Sequence, residues 1–501
     1  SGTGKKQRFL RVGEMHIYFI NPPFKAEYGK FSRESRSPAI TKSGALYYPL
    51  WLIYAAAYAD KYGHHIDFLD APAKPLDEQA SMDIIAKNIQ VETTLFVLNT
   101  STPSIMSDVA FAAKIKAAYP KSFILLVGTH PTACPKETLG YSASVDAVGI
   151  GEYDEIVRQL ADALQNGTPI QEVKGLYINT KNGIISTGRM PAITNMDDMP
   201  FAAEFIKKHL CERDYFFAAA TYPSIQIFTG RGCPCHCNFC VYPQTMHGHV
   251  FRARTAENVV QEFQFIADNF PDVHEVVIED DTFTVNKQRV KDICTLLIQR
   301  GLNKRLKWLC NARVNLDYET MKVMKKAGCR LIIPGIESGC QQILDNIKKG
   351  TKVEQFYSYV ANAKKAGLLI HACYMVGNKG ETKETMQTTL QLALKLNTDT
   401  AQFFPLIPYP GTEAYTWART NGYIETDYSK YCLEDGTHNT VLNLPGLSAE
   451  EMVEFCNMAR KKYYLRPSYI LHRIKVGITN PSDLRRSLKA FGKLRHYLFS
   501  K

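Results

Sequence analysis

Cys233-Pro234-Cys235-His236-Cys237-Asn238-Phe239-Cys240 decides how this chain is read. Taken as Cys233, Cys237 and Cys240, it is a C-x3-C-x2-C pattern. It follows an apolar, strand-like run, Ser224 to Thr229, and the turn-forming Gly230-Arg231-Gly232. Thiolates at this spacing can hold three irons of a [4Fe–4S] cluster. No fourth cysteine stands at matching spacing, so one iron is left open to bind and reduce a ligand. The pattern therefore reads as catalytic and not as an electron relay. The alternative is a zinc knuckle, which wants four Cys or His ligands in two pairs. Cys235 and His236 could complete such a set, but Cys235 lies between ligand positions and reads as a bystander.

At 501 residues the chain is too long for one ordinary core, and two or three domains are expected. No apolar run reaches the roughly 20 residues of a membrane-spanning helix. No secretory signal is expected, and Ser1-Gly2 reads as an expression scar. Thirteen cysteines in such a chain argue for a reducing cytoplasm and not for a disulfide frame. The net charge is +11, and it is local: residues 460–501 carry twelve Lys and Arg against the single acid Asp483. The body of the chain is then neutral and has no nucleic-acid signature.

The first 175 residues alternate strand and helix patterns. Strands are expected at Met15–Ile20, Ile66–Leu69, Leu95–Leu98, Phe123–Val127 and Val145–Ile150. Helices are expected at Tyr48–Tyr62, Met106–Ala118 and Tyr153–Gln165. This is the pattern of an α/β, Rossmann-like, doubly wound parallel sheet, which binds ligands at the C-terminal ends of its strands. Polar and glycine-rich stretches fall at those ends. Residues 176–221 read as a linker with a hairpin around Asn179–Gly183. From 222 to 417 the alternation resumes, with strands at Val276–Ile278, Lys307–Leu309, Leu331–Ile333, His371–Val376 and Gln402–Leu406. It predicts a partial (β/α) TIM-like barrel, whose chemistry sits at the strand C-termini. Residues 418–501 read as a basic helical region, with an amphipathic helix at Glu450–Tyr464. Beyond it, basic residues alternate with Tyr, Leu, Ile and Phe, as in a membrane-surface or anionic-partner segment. A helical cap over the barrel is the alternative.

The cluster motif, with an aromatic residue before its last cysteine, resembles the radical S-adenosylmethionine (SAM) superfamily. The strand ends resemble that family too: Glu279-Asp280-Asp281-Thr282-Phe283, Ala312-Arg313-Val314, Gly335-Ile336-Glu337-Ser338-Gly339 and Tyr409-Pro410-Gly411-Thr412. One departure is Gly377-Asn378-Lys379-Gly380-Glu381-Thr382, which lacks the usual proline. The five strands ahead of the cluster look like the cobalamin-binding domain of cobalamin-dependent radical SAM enzymes. Thr100-Ser101-Thr102-Pro103-Ser104, Gly128-Thr129-His130 and Gly151-Glu152-Tyr153 match its cofactor-facing loops. A Rossmann-like domain with an empty site is the alternative. The D-x-H-x-x-G motif that supplies an axial histidine elsewhere is absent, and the nearest match, Asp272-Val273-His274, lies outside this domain. The resemblance thus implies cobalamin without a protein histidine on cobalt, with the Thr100–Ser104 loop near its lower face. Tyr242-Pro243-Gln244-Thr245, Gly248-His249 and Arg252-x-Arg254 look most like a branch acting in hopanoid biosynthesis by ring contraction.

The resemblance implies three cofactors: a [4Fe–4S] cluster on Cys233, Cys237 and Cys240, SAM, and cobalamin. It implies that Phe239 packs near the adenine of SAM and that Glu279 and Asp280 meet its amino group. Arg313 would pair with its carboxylate, and Glu337 and Ser338 would bind ribose hydroxyls or the amine. The plainer readings are that Glu279 or Asp281 caps a helix and that Arg313 holds a salt bridge. The implied activity is methylation of an unactivated carbon, by way of a 5′-deoxyadenosyl radical and a methyl carried on cobalamin, with SAM used twice. The runner-up is a ring contraction or rearrangement of a lipid-linked or nucleoside-derived substrate. A non-catalytic iron–sulfur protein is disfavoured by the missing fourth cysteine. A tRNA methylthiotransferase is disfavoured because no second set of three cysteines precedes the cluster motif. A scaffold with a vestigial site is disfavoured by the intact strand-end motifs. The expected partners are a flavodoxin- or ferredoxin-type reductant and a small-molecule, lipid or peptide substrate. Residues 460–501 are expected to meet a membrane surface or an acidic protein. No nucleic acid is expected. The expected location is cytoplasmic, with the inner membrane face as its extension.

Overall fold

The computed structural model describes residues 15–41, 44–89, 93–424, 427–433 and 439–479. The first sheet contains β1 (His16–Asn21), β2 (His65–Asp70), β3 (Leu95–Asn99), β4 (Phe123–Val127), β5 (Ala147–Gly149), β6 (Leu176–Thr180) and β7 (Gly183–Ser186). Their order is β2-β1-β3-β4-β5-β6-β7. The first five strands pair in parallel, and the order reverses about β1, the kind of switch point at which such sheets bind ligands. Successive residues point to opposite faces. Ile17, Phe19, Val97 and Leu125 pack with the helices Leu50–Lys61 and Asp154–Asn166. Tyr18, Ile20, Leu98 and Leu126 pack with Ile105–Ala118. Both faces are covered, which is why these strands read as unbroken apolar runs.

Two elements differ from the sequence expectation. The hairpin placed in the 176–221 linker, β6–β7, hydrogen-bonds antiparallel onto β5 and extends the first sheet. Leu176 and Ile178 are buried in its core, a local alternation too short to announce its partner strand. The helix Glu78–Asn88 was not anticipated. It buries only Ser81 and Ile85, so its apolar periodicity is faint, although Asp77 caps it by accepting from Ala80 N.

The second sheet runs in chain order, all parallel: β8 (Ser224–Ile227), β9 (Glu275–Ile278), β10 (Lys307–Ala312), β11 (Cys329–Glu337), β12 (Leu369–Val376) and β13 (Thr400–Pro405). Val277, Leu309, Leu331 and Ala220 plug its interior. Such an arc has two free edges, each a row of unpaired backbone groups. Both are met by tyrosines. Phe228 N, just past β8, donates to the Tyr54 hydroxyl at 3.0 Å, and that hydroxyl donates back to the Phe228 carbonyl at 3.2 Å. On β13, Ala401 N donates to the Tyr464 hydroxyl at 2.9 Å, which donates to the Ala401 carbonyl at 2.7 Å. Arg460 reaches the Phe403 carbonyl, and Tyr463 and Tyr469 reach those of Thr398 and Asp399.

The edge contacts correct part of the tail reading. Arg460, Tyr463, Tyr464 and Tyr469, grouped by sequence with an anionic-surface segment, cover the barrel edge instead. Phe491, Tyr497 and Phe499 lie outside the described residues. Tyr54→Phe is expected to leave a buried N–H and C=O without partners and to cost about 1–3 kcal/mol. Denaturant unfolding checks this, and an unchanged midpoint would contradict the edge-capping role.

Candidate active site

The cluster segment leaves β8 and returns to the sheet through a short antiparallel pair, Gly230–Arg231 with Arg252–Ala253. Asp280, at the end of β9, fixes the exit. It accepts from Thr229 N (2.6 Å), Thr229 Oγ1 (2.6 Å) and Gly230 N (3.1 Å). Gly232 has φ +88°, and a Cβ there would lie 2.2 Å from the Val250 carbonyl oxygen. Only glycine fits. Gln244 Nε2 donates to the carbonyls of Cys237 (3.2 Å), Asn238 (3.1 Å) and Cys240 (2.9 Å). His249 Nδ1 lies 3.1 Å and 3.0 Å from the carbonyl oxygens of Cys233 and Cys235. The segment is thus held largely through its backbone carbonyls.

Cys233 and Cys237 are buried, and Cys235 and Cys240 half-buried. Burial pushes the Cys240 thiol up to about 12. The Cys233 thiol hydrogen-bonds to Cys235 and pulls the Cys235 thiol down, against its burial and with help from Arg313 and Lys349. Arg313 Nη1 is 3.9 Å from Cys237 Sγ, and its Nη2 donates to the Lys349 carbonyl. The cations Arg313 and Lys349 thus favour the thiolate of Cys235, whereas the Cys233 thiol, bonded to Cys235 and buried, is held well above its ordinary value, as Cys240 is. This donor set fits an iron–sulfur cluster.

The other site residues predicted by sequence divide by what they touch. Phe239 is half-buried, with Lys349 Nζ 5.9 Å from its ring centroid. Glu279 is half-buried and faces Arg36; burial raises its carboxyl, and Arg36 and Asn311 oppose that. Glu337, at φ +64°, pairs with Lys349 Nζ at 2.8 Å. Gly335 makes room for the pair, since a Cβ there would lie 2.2 Å from Glu337 Oε1. Ser338 is fully buried. Its hydroxyl lies 3.2 Å from Thr389 Oγ1 and accepts from Cys340 N. Asp280 and Ser338 therefore hold loops, whereas Glu279, Arg313 and Glu337 stand beside the cysteines' surroundings.

On the side of the first sheet, a narrow cavity is walled by Thr100, Gly128, Thr129 and Tyr153 from the strand-end loops, and by Tyr242 and Met246 from the cluster segment. A second narrow cavity adds Thr102 and Tyr409. Gly128, at φ +115°, lies so close to the opposite loop that a Cβ would be 2.2 Å from the Thr100 carbonyl oxygen. The Tyr153 hydroxyl is buried without a partner. Gly128 thus lets two strand-end loops close on each other, and the orphaned Tyr153 hydroxyl on the same wall is a donor that a bound group can take up. Ser101 and Ser104 lie behind that wall. The Ser104 hydroxyl bonds Ser101 Oγ (3.0 Å) and Asp108 (2.6 Å), and Asp108 pairs with Arg33 at 2.6 Å. Gly151 brings its loop near the Met246 carbonyl. Glu152 points its charge at Arg231 and Arg252, beside the Arg231–Asp154 pair at 2.6 Å, and so ties the first sheet to the cluster segment.

Among the described residues that wall either cavity there is no histidine. His130 is fully buried, with Nδ1 3.2 Å from Thr102 Oγ1 and its ring edge-on to Tyr428. Burial lowers it from 6.5 to about 4. The folded chain therefore refuses a proton that the unfolded chain accepts. His130 costs nothing above pH 6.5, and stability is lost as pH falls from 6.5 toward 4, by about 3 kcal/mol. His130→Asn is expected to flatten that part of the stability–pH curve. An identical curve would contradict it.

Three residues here were missed by sequence reasoning. Arg36 comes from the loop after β1, donates Nη2 to the Asp280 carbonyl at 3.2 Å, and lies beside Glu279 and Asp281. Lys349 is the second, the buried partner of Glu337. The third is His247. Its Nδ1 is 2.5 Å from Asp281 Oδ2, and its ring packs on Trp51 with centroids 3.8 Å apart. Asp281 also accepts from Gly232 N, and Trp51 walls the cavity, so these contacts join the first cysteine to the other site. Arg36 had a signal, because Ser32-Arg33-Glu34-Ser35-Arg36-Ser37 follows the first strand at a ligand-binding edge.

Comparison with known proteins agrees with this geometry. The profile of the radical SAM superfamily matches residues 227–393, and that of the B12 binding domain matches residues 36–161. An uncharacterized methyltransferase of Pyrococcus horikoshii is 32% identical over 429 residues, which is 85% of this chain and 90% of that protein. The chain belongs to the cobalamin-dependent radical SAM family. Another relative, the cytidylyl-2-hydroxyethylphosphonate methyltransferase of Streptomyces wedmorensis, is 24% identical over 476 residues, covering 84% of this chain and 86% of its own. The radical SAM methyltransferase TsrM of Kitasatospora setae, solved with cobalamin and a [4Fe–4S] cluster, shares the fold at a TM-score of 0.67 and 15% identity, over 91% of this chain and 90% of that one. Family members work with a [4Fe–4S] cluster, SAM and cobalamin, for which this radical SAM chain offers the thiol set and the strand-end loops. They also need a reductant and a small-molecule substrate. No helix among the described residues is long and apolar enough to cross a membrane.

Proposed function

We propose that this chain is a C-methyltransferase that acts on an unactivated carbon and consumes two SAM molecules per turnover. One observation carries the reading: the cluster segment and the strand-end loops of the first sheet wall the same cavity through Tyr242, Met246, Thr100 and Gly128. Two chemistries can therefore meet on one substrate. The reduced cluster and SAM supply hydrogen abstraction, and cobalamin supplies a methyl carrier.

The residues' part is placement. Cys233, Cys237 and Cys240 would hold the irons, and Gln244 and His249 keep their backbone fixed. Arg313 is suited to a carboxylate. Glu279 is suited to an ammonium, and Phe239 to a flat ring. Glu337, held by Lys349, borders the same region. Asp280 and Ser338 act through the loops they fix. Thr100, Gly128, Thr129 and Tyr153 would line the cobalamin side, with no histidine presented to the metal. The electron would come from a flavodoxin- or ferredoxin-type protein in a reducing cytoplasm. The test is to incubate anaerobically reconstituted protein with methyl-labelled SAM and candidate extracts. Label should pass to a carbon of an acceptor; label recovered only in methionine, alongside 5′-deoxyadenosine, would count against methylation.

The C-terminal helix Pro467–Thr479 leaves Ile470, Leu471, Ile474 and Ile478 exposed, the last at 75%. Their spacing puts them on one helical stripe, and the chain that follows is strongly basic. These features support reversible contact with an anionic membrane surface, where each cation contributes on the order of 1 kcal/mol. The intact protein should sediment with anionic liposomes at low salt and release at high salt, as screened charges do. Indifference to anionic lipid at low salt would end this reading.

A further inference from the structure

The first sheet carries its ligand-binding loops at the C-terminal ends of its strands. At the other end, where β1 and β2 begin, stands a separate set of donor groups. We propose that His16, His65 and Asp67 bind one first-row divalent cation, with Zn²⁺ the best match.

The placement follows from strand pairing. β1 and β2 are parallel, with His16 opposite His65 and Tyr18 opposite Asp67. His65 and Asp67 are two residues apart on β2, so they share a face, and His16 joins them across the pair. One ligand atom from each of the three lies within 4.8 Å of the others. His16 Nε2 is 3.0 Å from Asp67 Oδ2, and the two imidazole centroids are 5.2 Å apart. Donors that each sit about 2.0–2.2 Å from one zinc are themselves separated by roughly 3–3.5 Å. The His16–Asp67 spacing already has that value, so an ion could replace the proton they share. His16 is 2% exposed, and its Nδ1 is held 3.0 Å from Thr94 Oγ1. Metal-binding histidines are commonly fixed in this way through their second nitrogen. His65 and Asp67 are half-buried, which leaves an outer side for water as the fourth ligand.

The donor chemistry narrows the ion. Two imidazoles and one carboxylate suit zinc, nickel or copper, whereas calcium and magnesium want oxygen shells. β2 is the edge strand of its sheet. An ion held by both strands would clip the edge to β1 and stabilise the fold far from the radical chemistry. The plain alternative is that His16 and Asp67 share only a hydrogen bond.

The test uses the full chain, loaded with cluster and cobalamin under anaerobic conditions and washed with chelator, so that the cysteines are the same in every sample. Zn²⁺ alone is titrated by calorimetry into the wild type, His65→Ala and Asp67→Asn, and melting is followed with and without zinc. Asp67→Asn keeps the size and a hydrogen bond to His16, so it guards against simple misfolding. The wild type should bind one zinc more than either variant, or bind it more tightly by roughly 100-fold, the loss that even an outer partner of a metal ligand can cause. Its melting temperature should rise with zinc while those of the variants stay put, and zinc-edge absorption should show two imidazole nitrogens. Equal zinc affinity and number in all three proteins would overturn the proposal, as would a wild type that binds none.

Discussion

Gly128→Val is expected to abolish cobalamin retention while leaving the iron–sulfur cluster in place. Gly128 has φ +115°, a backbone region that a β-branched residue avoids, and its Cβ would lie 2.2 Å from the Thr100 carbonyl oxygen and 3.0 Å from Asn99 Oδ1. Neither neighbour has slack. The Thr100 amide is tied to the Val127 carbonyl at 2.8 Å, and Asn99 donates to Glu34. Overpacking costs about 1–3 kcal/mol, and the strained backbone costs about as much again. If that energy is drawn from the cavity, cobalamin affinity falls by roughly 100-fold or more. Iron, sulfide and cobalamin are counted on the same anaerobically reconstituted sample. Should valine unfold the domain, Gly128→Ala gives the milder form of the same defect, visible as partial cobalamin loss with full iron. A Gly128→Val protein that retains cobalamin stoichiometrically would remove this loop from the site.

The second large effect concerns the thiols. Cys233→Ala, Cys237→Ala and Cys240→Ala should each lose the cluster and reduce SAM cleavage to background, because an iron with one ligand missing is not held in place. Cys235→Ala should keep both. Cys235 is hydrogen-bonded to Cys233 and lies near Arg313 and Lys349, so the experiment separates a ligand from a neighbour that only shares its surroundings. Loss of the cluster in Cys235→Ala together with its retention in Cys233→Ala would reverse the assignment.

Most of the architecture could be read from the sequence because its signals are local. Phe123–Val127 occupies the predicted strand, and the helix expected at Met106–Ala118 is one residue longer, Ile105–Ala118. The cluster loop and strand-end motifs were equally legible, since each is a short run beside its own strand. What escaped depends on distant partners. Asp280 was expected to touch SAM, yet three donors from Thr229 and Gly230 occupy it. Glu152 was expected to face cobalamin, yet it meets Arg231 and Arg252. Nothing within a few residues of either acid reveals those partners. Lys349 and His247 escaped for the same reason, since each is defined by an acid on another strand end, Glu337 or Asp281. The tail misled in the opposite way. Its tyrosines look like interfacial anchors in sequence, but an arc of six strands has an edge to cover, and the first of them cover it.

The central claim, that two cofactor sites serve one methyl transfer, is tested most directly by counting products. Reconstituted enzyme, an accepting substrate and SAM labelled on its methyl group are followed together under strict anaerobiosis. S-adenosylhomocysteine and 5′-deoxyadenosine should form in comparable amounts, with one labelled methyl on carbon for each pair. A rearranged product that carries no methyl from SAM, formed with 5′-deoxyadenosine but without S-adenosylhomocysteine, would contradict it.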